Sequence, residues 1–348
     1  MRIAFLNPWR NASENQAFRS LQIAAARIGH EVVACTNSDD LEQASPEFVL
    51  AVASIQPKLT RFPTYGVIHE PRDRFLGTKE YFRNLLTYDG YLTISDTLRA
   101  FLAHLMHGVG RPTPIGFYFL TSQENVPDPD FLSRLERGDV RLTYFGTNWD
   151  KRRARFFQQL SQRPDVEIYG PEQAWQGIRP EAYKGAPPFD GISPQNIYRQ
   201  NGVGLVLLSD KHLADDIISN RIFEITSVGA IAVCCRMSWL ERCFGDSVYY
   251  FDPHCSDRAL VDQLGKIVDQ IKANPAEAFS RARRAQRIFQ EQFSAEKLLQ
   301  SAVAYHSEVQ SAPGPRYTSA DAPDPLISVI VRLLDLQRDE QPEPKPCV

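Results

Sequence analysis

The residues best placed for chemistry are Asn220-Arg221-Ile222-Phe223-Glu224, which precede Gly229 and the apolar run 230–235. Asn220 is read as an N-cap, its side-chain oxygen accepting from a free amide of the first helical turn. Ile222, Phe223 and Ile225 can pack inward, and Gly229 suits the left-handed residue that ends a helix. Residues 230–235 are apolar and β-prone, as in a strand covered on both faces. A helix start is an anion site, and Arg221 adds positive charge beside it. Glu224, one turn in, can hold a pair of sugar hydroxyls.

Further candidates fall after other predicted strands, where open α/β sheets bind ligands. Residues 139–145 read as a strand, followed by Gly146-Thr147-Asn148-Trp149-Asp150-Lys151-Arg152-Arg153. Amides around Gly146 and Asn148 can approach a phosphate, and Arg152 or Arg153 can neutralise it. Neighbours on a helix diverge by about 100°, so spacing does not choose between the two arginines. Tyr169 ends the next strand and either stacks on a nucleobase or sits in the core. Lys211, in the loop 209–212, is a phosphate partner or a solvated lysine. In the first half, His69 and Glu70 close a strand and are candidates for a base or an acceptor anchor. Asn7-Pro8-Trp9-Arg10 follows the first strand and can line the same region. His104 and His107 lie three apart on a helix, but no third ligand is evident, so no metal site is assigned.

The elements that must position these residues alternate. Strands are predicted over 2–7, 31–35, 48–53, 65–69 and 90–95. Helices are predicted over 14–28, with Ser13 as cap and Gln16 completing a capping box, and over 96–106, capped by Asp96. A proline- and glycine-rich stretch follows, and the rhythm then restarts. Strands are expected at 166–169, 202–208 and 247–251, and helices at 151–162, 194–200, 259–273 and 275–293. This alternation implies parallel sheets with helices on both faces. No Gly-x-Gly-x-x-Gly follows the first strand, which argues against a dinucleotide dehydrogenase.

The segment Asn220–Glu224 with its small-residue turn at Gly229 resembles the nucleotide-binding element of GT-B glycosyltransferases of family 1/4-like, spore-protein-like bacterial type. Many retaining members carry two acids spaced as Asp216 and Glu224 are here, with glutamate in the first place. The loop from Gly146 and the order of motifs over 139–310 extend the resemblance. It implies an α/β chain of two Rossmann-like, doubly wound domains facing a cleft. The expected boundaries are an acceptor domain at 1–120, a linker at 121–138 and a nucleotide-sugar domain at 139–294. A helix at 295–310 is expected to cross back to the first domain. The resemblance further implies sugar transfer, of hexosyl type, from a nucleotide diphosphate-sugar to a glycan or lipid-linked glycan. In that scheme Glu224 holds the ribose, Asp216 contacts the donor sugar, and Asn220, Arg221, Lys211 and Arg152 or Arg153 carry the diphosphate. The implied enzyme is retaining, needs neither metal nor cofactor, and serves bacterial surface-glycan synthesis. Two rivals remain: an inverting fucosyltransferase-like enzyme, and a non-catalytic module that only binds nucleotide-sugar or glycan.

Composition sets the limits. The chain has 348 residues, 43% of them hydrophobic, and a net charge of −3. That balance lacks the basic face a nucleic-acid partner needs. No apolar run reaches the ~18 residues of a membrane span, so a cytoplasmic protein is expected, with contact at the inner face of a membrane left open. The six cysteines, at 35, 234, 235, 243, 255 and 347, form no Cys-x-x-Cys pair and read as reduced thiols. From 311 onward the chain carries seven of its 24 prolines, the composition of a linker. Within it, residues 325–332 resemble the opening strand of a family-2 glycosyltransferase domain, which implies a further domain in a longer chain.

Overall fold

The computed structural model describes residues 1–146, 148 and 153–311. The apolar segment 325–332 and its implied further domain lie outside these residues, as does Arg152. Two compact units emerge. Of the described residues, the first comprises 1–10, 31–119 and 301–311, and the second comprises 11–30 and 120–300.

The first unit is built on a six-stranded parallel sheet. Its strands are β1 (Arg2–Leu6), β2 (Glu31–Cys35), β3 (Phe48–Ala51), β4 (Thr64–Val67), β5 (Gly90–Leu92) and β6 (Ile115–Gly116). Their spatial order is β2-β1-β3-β4-β5-β6. Between β1 and β2 the chain forms α1 (Ala12–Arg27), and the later crossovers carry α2 (Ser38–Ala44), α3 (Arg72–Leu76), α4 (Lys79–Leu85) and α5 (Asp96–Gly108). β3 and β4 are buried at every position, as strands covered on both faces must be.

The second unit has a five-stranded parallel sheet. It contains α6 (Phe131–Glu136), β7 (Arg141–Phe145), α7 (Ala154–Leu160), β8 (Val166–Tyr169), α8 (Ser193–Asn201), β9 (Gly202–Val206), α9 (Asp210–Ala214), α10 (Arg221–Ser227) and β10 (Ile231–Cys235). Then follow α11 (Ser238–Phe244), β11 (Tyr249–Phe251), α12 (Asp257–Ala273) and α13 (Pro275–Ile288), while α14 (Ala295–Ser311) begins in this unit and continues into the first from Ser301. The order is β11-β10-β9-β7-β8. β9 and β10 are wholly buried, which agrees with their unbroken apolar sequence. Cys234 and Cys235 are buried free thiols on β10.

Residues 11–30 cluster with the second unit through α1. The Gln16 amide is buried there, accepting from Gly191 N at 2.8 Å and donating to Gln195 at 3.3 Å. A buried amide that is paired on both sides costs little and fixes the packing angle. At the other end of the chain, Tyr305 of α14 lies in the first unit. Its hydroxyl accepts from Tyr91 N at 2.9 Å and donates to Pro114 O at 2.7 Å. Glycines at 90 and 116 leave room for it, since a Cβ at either would fall within 3 Å of the Tyr305 side chain.

Helix starts differ from the sequence reading in three places. Asn11, not Ser13, precedes α1, and the Ser13 hydroxyl instead turns to Glu14. Ser95, not Asp96, caps α5, accepting from Leu98 N at 3.1 Å. Asn220 precedes α10 with helical backbone angles and no side-chain cap bond. A cap needs an extended residue to swing its side chain over the first turn, and at φ −52°, ψ −25° Asn220 cannot do so. β3 also stops at Ala51 rather than residue 53, because the chain leaves the sheet there.

Candidate functional site

The second unit gathers its candidates at the carboxyl ends of β7, β8 and β9. Two glycines let the ends of β7 and β8 approach. Gly146 N donates to Tyr169 O at 3.1 Å. A Cβ on Gly170 would stand 2.0 Å from Gly146 O, and Gly170 holds φ +147°. Asn148 takes a left-handed backbone, φ +37°, and its amide donates to Ala174 O at 3.3 Å. Arg152 falls outside the described residues. Arg153 is drawn toward the start of α12, where it donates to Pro253 O at 2.9 Å and faces Asp257 at 3.4 Å.

Arg221 is pinned at the end of β7. Its Nε donates to Phe145 O at 2.5 Å, a terminal nitrogen donates to Ser219 Oγ at 3.1 Å, and the guanidinium lies 5.1 Å from the centre of the Tyr144 ring. Three constraints on one flexible side chain remove most of its rotamer freedom before any ligand arrives. Glu224, one turn further along α10, is only 9% exposed. Burial pushes its carboxyl pKa up to about 7, with Arg221 pulling the other way. α10 owes its depth to Phe223, packed among Trp239, Phe289 and Phe293 at centroid distances of 5.6–6.4 Å.

Tyr198 completes this group. It is fully buried on α8, and its hydroxyl has no hydrogen-bond partner among the described residues. Burial first, and then the Glu224 carboxylate, push its pKa up, while Arg221 lowers it. The sequence reading missed Tyr198 and Tyr144. Both look like ordinary core tyrosines, and only the packing of α8 and α10 onto β9 brings Tyr198 to Glu224. Gly204 on β9 makes that packing possible, because a Cβ there would fall 2.3 Å from Ile225 and 2.8 Å from Tyr198.

The remaining candidates stand apart from this group. Asp216 has φ +52°, and its carboxylate accepts from Trp239 N at 3.1 Å, at the start of α11. Residues 209–212, read as a loop, form the start of α9. Ser209 caps it, accepting from His212 N at 3.1 Å, and Lys211 is exposed. Tyr169 stacks on Phe145 with centroids 4.8 Å apart, and its hydroxyl donates to Glu167 at 2.7 Å. In the first unit, His69 follows β4 with Nδ1 3.1 Å from Val67 O. A carbonyl accepts only, so Nδ1 is the donor in this contact. Glu70 pairs with Arg74 at 3.3 Å.

Chemically, the α10 group offers a fixed cation, a buried carboxyl with a raised pKa, and a buried hydroxyl in want of a partner. Such groups suit a ligand that brings both negative charge and hydroxyls. No helix among the described residues is long and apolar enough to cross a membrane.

The profile of a family described as glycosyl transferase-like matches residues 129–304. Among curated proteins, none matches the chain. Several solved structures share its fold. Anabaena Alr3699/HepE, solved in complex with UDP-glucose, is 13% identical with a TM-score of 0.56, covering 89% of this chain and 98% of its own. Sucrose-phosphate synthase from Thermosynechococcus elongatus is 11% identical with a TM-score of 0.55, covering 90% of this chain and 100% of its own. A glycosyltransferase from Rickettsia africae is 8% identical with a TM-score of 0.53, covering 90% and 99%. At such identities the likeness carries the fold, which is GT-B.

Proposed function

The chain belongs to the glycosyl transferase-like family, and on that premise we propose that it moves a sugar from a nucleotide diphosphate-sugar to a glycan or lipid-linked glycan hydroxyl. The observation that carries this reading is the presence on α10, one turn apart, of pinned Arg221 and buried Glu224. In the proposed step the bond from the sugar C1 to the β-phosphate oxygen breaks, and a bond from C1 to the acceptor oxygen forms. The acceptor proton leaves with the phosphate or passes to His69 Nε2. Glu224 accepts from the two ribose hydroxyls. Arg221, Lys211 and the amides around Gly146 and Asn148 take up charge on the departing diphosphate, which is the largest electrostatic demand of the step. Arg152 and Arg153 extend that positive field, and Tyr169 borders the base. Asp216 receives donor-sugar hydroxyls.

Three finer points belong to the same proposal: retention of configuration, no need for a metal or cofactor, and a role in bacterial surface-glycan synthesis on the cytoplasmic side of the membrane.

A thermal-shift series with UDP, GDP and dTDP, followed by hydrolysis assays on the matching hexose donors, tests the reading. UDP comes first because the Anabaena protein holds it. Stabilisation by one nucleotide and slow hydrolysis of its sugar donor are expected. No stabilisation by any of them contradicts the proposal. Binding without hydrolysis or transfer across varied acceptors leaves only a binding module.

A further inference from the structure

Tyr198 carries a hydroxyl that the free fold does not use. The residue is fully buried on α8, and its oxygen has no hydrogen-bond partner among the described residues. Phenylalanine would fill the same space without the desolvated oxygen, so the hydroxyl destabilises the free chain. Buried polar groups are almost always bonded, and one that is not points to a strained, catalytic or ligand-dependent role.

The ring has little freedom to seek a partner elsewhere. It meets Phe145 edge-on, with centroids 4.8 Å apart and planes at 67°. It also abuts β9, where a Cβ on Gly204 would stand 2.8 Å from the ring and 2.3 Å from Ile225, the neighbour of Glu224. The ring is thus lodged where α8 and α10 meet over β9. Two charged groups act on its hydroxyl, Glu224 and Arg221. A guanidinium only donates, so Glu224 is the one of the two that can accept. Glu224 in turn is short of donors. Burial raises its pKa to about 7 and the Arg221 charge offsets part of that, with no hydrogen bond contributing. An ionised carboxylate has room for about four hydrogen bonds. The two ribose hydroxyls fill two places and leave room for a third donor.

We propose that Tyr198 is a positioning residue: when a nucleotide is bound, its hydroxyl donates to the ionised Glu224 carboxylate and holds it toward the ribose. The assignment rests on the nucleotide reading of α10. In the free chain below pH 7 the carboxyl is mostly protonated, and the bond is not made. Accepting from two ribose hydroxyls favours the ionised form, and the Tyr198 hydroxyl then gains its partner while keeping its own proton.

The test is a double-mutant cycle of Tyr198→Phe and Glu224→Ala in the full chain at pH 6, read by isothermal titration with UDP, GDP and dTDP. Melting temperature without ligand and the ultraviolet difference spectrum of tyrosine on nucleotide addition are recorded beside it. A phenol that donates to a carboxylate absorbs further to the red. Tyr198→Phe should melt level with the wild type or above it. Its nucleotide affinity should fall tenfold or more where Glu224 is present, and less than twofold where Glu224 is alanine. The tyrosine band should move to the red on nucleotide addition in the wild type and stay in place in Tyr198→Phe.

A Tyr198→Phe chain that melts lower or fails to fold gives the hydroxyl a partner in the free protein and overturns the proposal. Equal loss of affinity in both backgrounds marks a structural role and overturns it too, as does no loss in either. Each of these results leaves nucleotide binding to the wild type standing. No nucleotide binding to the wild type is the separate failure: it removes the nucleotide reading, and the role of Tyr198 falls with it.

Discussion

Glu224 is the residue in which burial, charge and function meet. Its folded pKa, about 7, lies above the 4.5 of an unfolded glutamate. The folded chain therefore holds that proton more tightly than the unfolded chain. By linkage, stability without ligand falls as pH rises from about 4.5 to about 7, and the whole cost of the buried charge is present above 7. Glu224→Gln keeps the shape and removes the charge. It should melt above the wild type at pH 8 and level with it at pH 4, and an equal shift at both values would show that Glu224 does not titrate as described. The diphosphate carriers proposed here are side chains and amides, so transfer should survive EDTA. A strict and reversible requirement for manganese or magnesium in the chemical step would refute that assignment.

Among the elements, β9 decides whether α10 can seat its residues. Gly204→Ala puts a methyl group 2.3 Å from Ile225 and 2.8 Å from Tyr198. Overpacking of this kind costs about 1–3 kcal/mol, readable in chemical denaturation, and Tyr198 and Glu224 should lose nucleotide affinity together. An unchanged midpoint would mean that α8 and α10 are free to shift. The same elements mark what the sequence makes legible. The unbroken apolar runs of β9 and β10 declare buried parallel strands, and Gly229, at φ +68°, ends α10 as its position suggests. The caps were not legible, because Asn11, Ser95 and Asn220 compete with equally good neighbours and the tertiary entry angle of the chain decides. Nor was the approach of Tyr198 to Glu224, which depends on two helices meeting across one strand. The contact of Arg153 with Asp257, over a hundred residues away, was not legible either, because no local pattern records it.

For the whole molecule, the chain returns to its first unit through α14, where Tyr305 and His306 close the sheet. The His306 ring stacks on Phe48 at 4.8 Å and its Nδ1 lies 2.7 Å from the Tyr65 hydroxyl. With those contacts made before Gln310, truncation after that residue should leave melting and nucleotide affinity unchanged. Aggregation of the truncated chain, or loss of its nucleotide site, would make the proline-rich segment part of the body. The central claim is that the second unit binds a nucleoside diphosphate through Glu224 and Arg221. Isothermal titration of UDP, GDP and dTDP into wild type and Glu224→Ala at pH 8, where the carboxyl is ionised, tests it most directly. One nucleotide should bind the wild type, and the variant should lose about 1–3 kcal/mol of that affinity, as for charge-assisted hydrogen bonds removed from a buried site. Equal affinity in a folded Glu224→Ala variant would contradict the account.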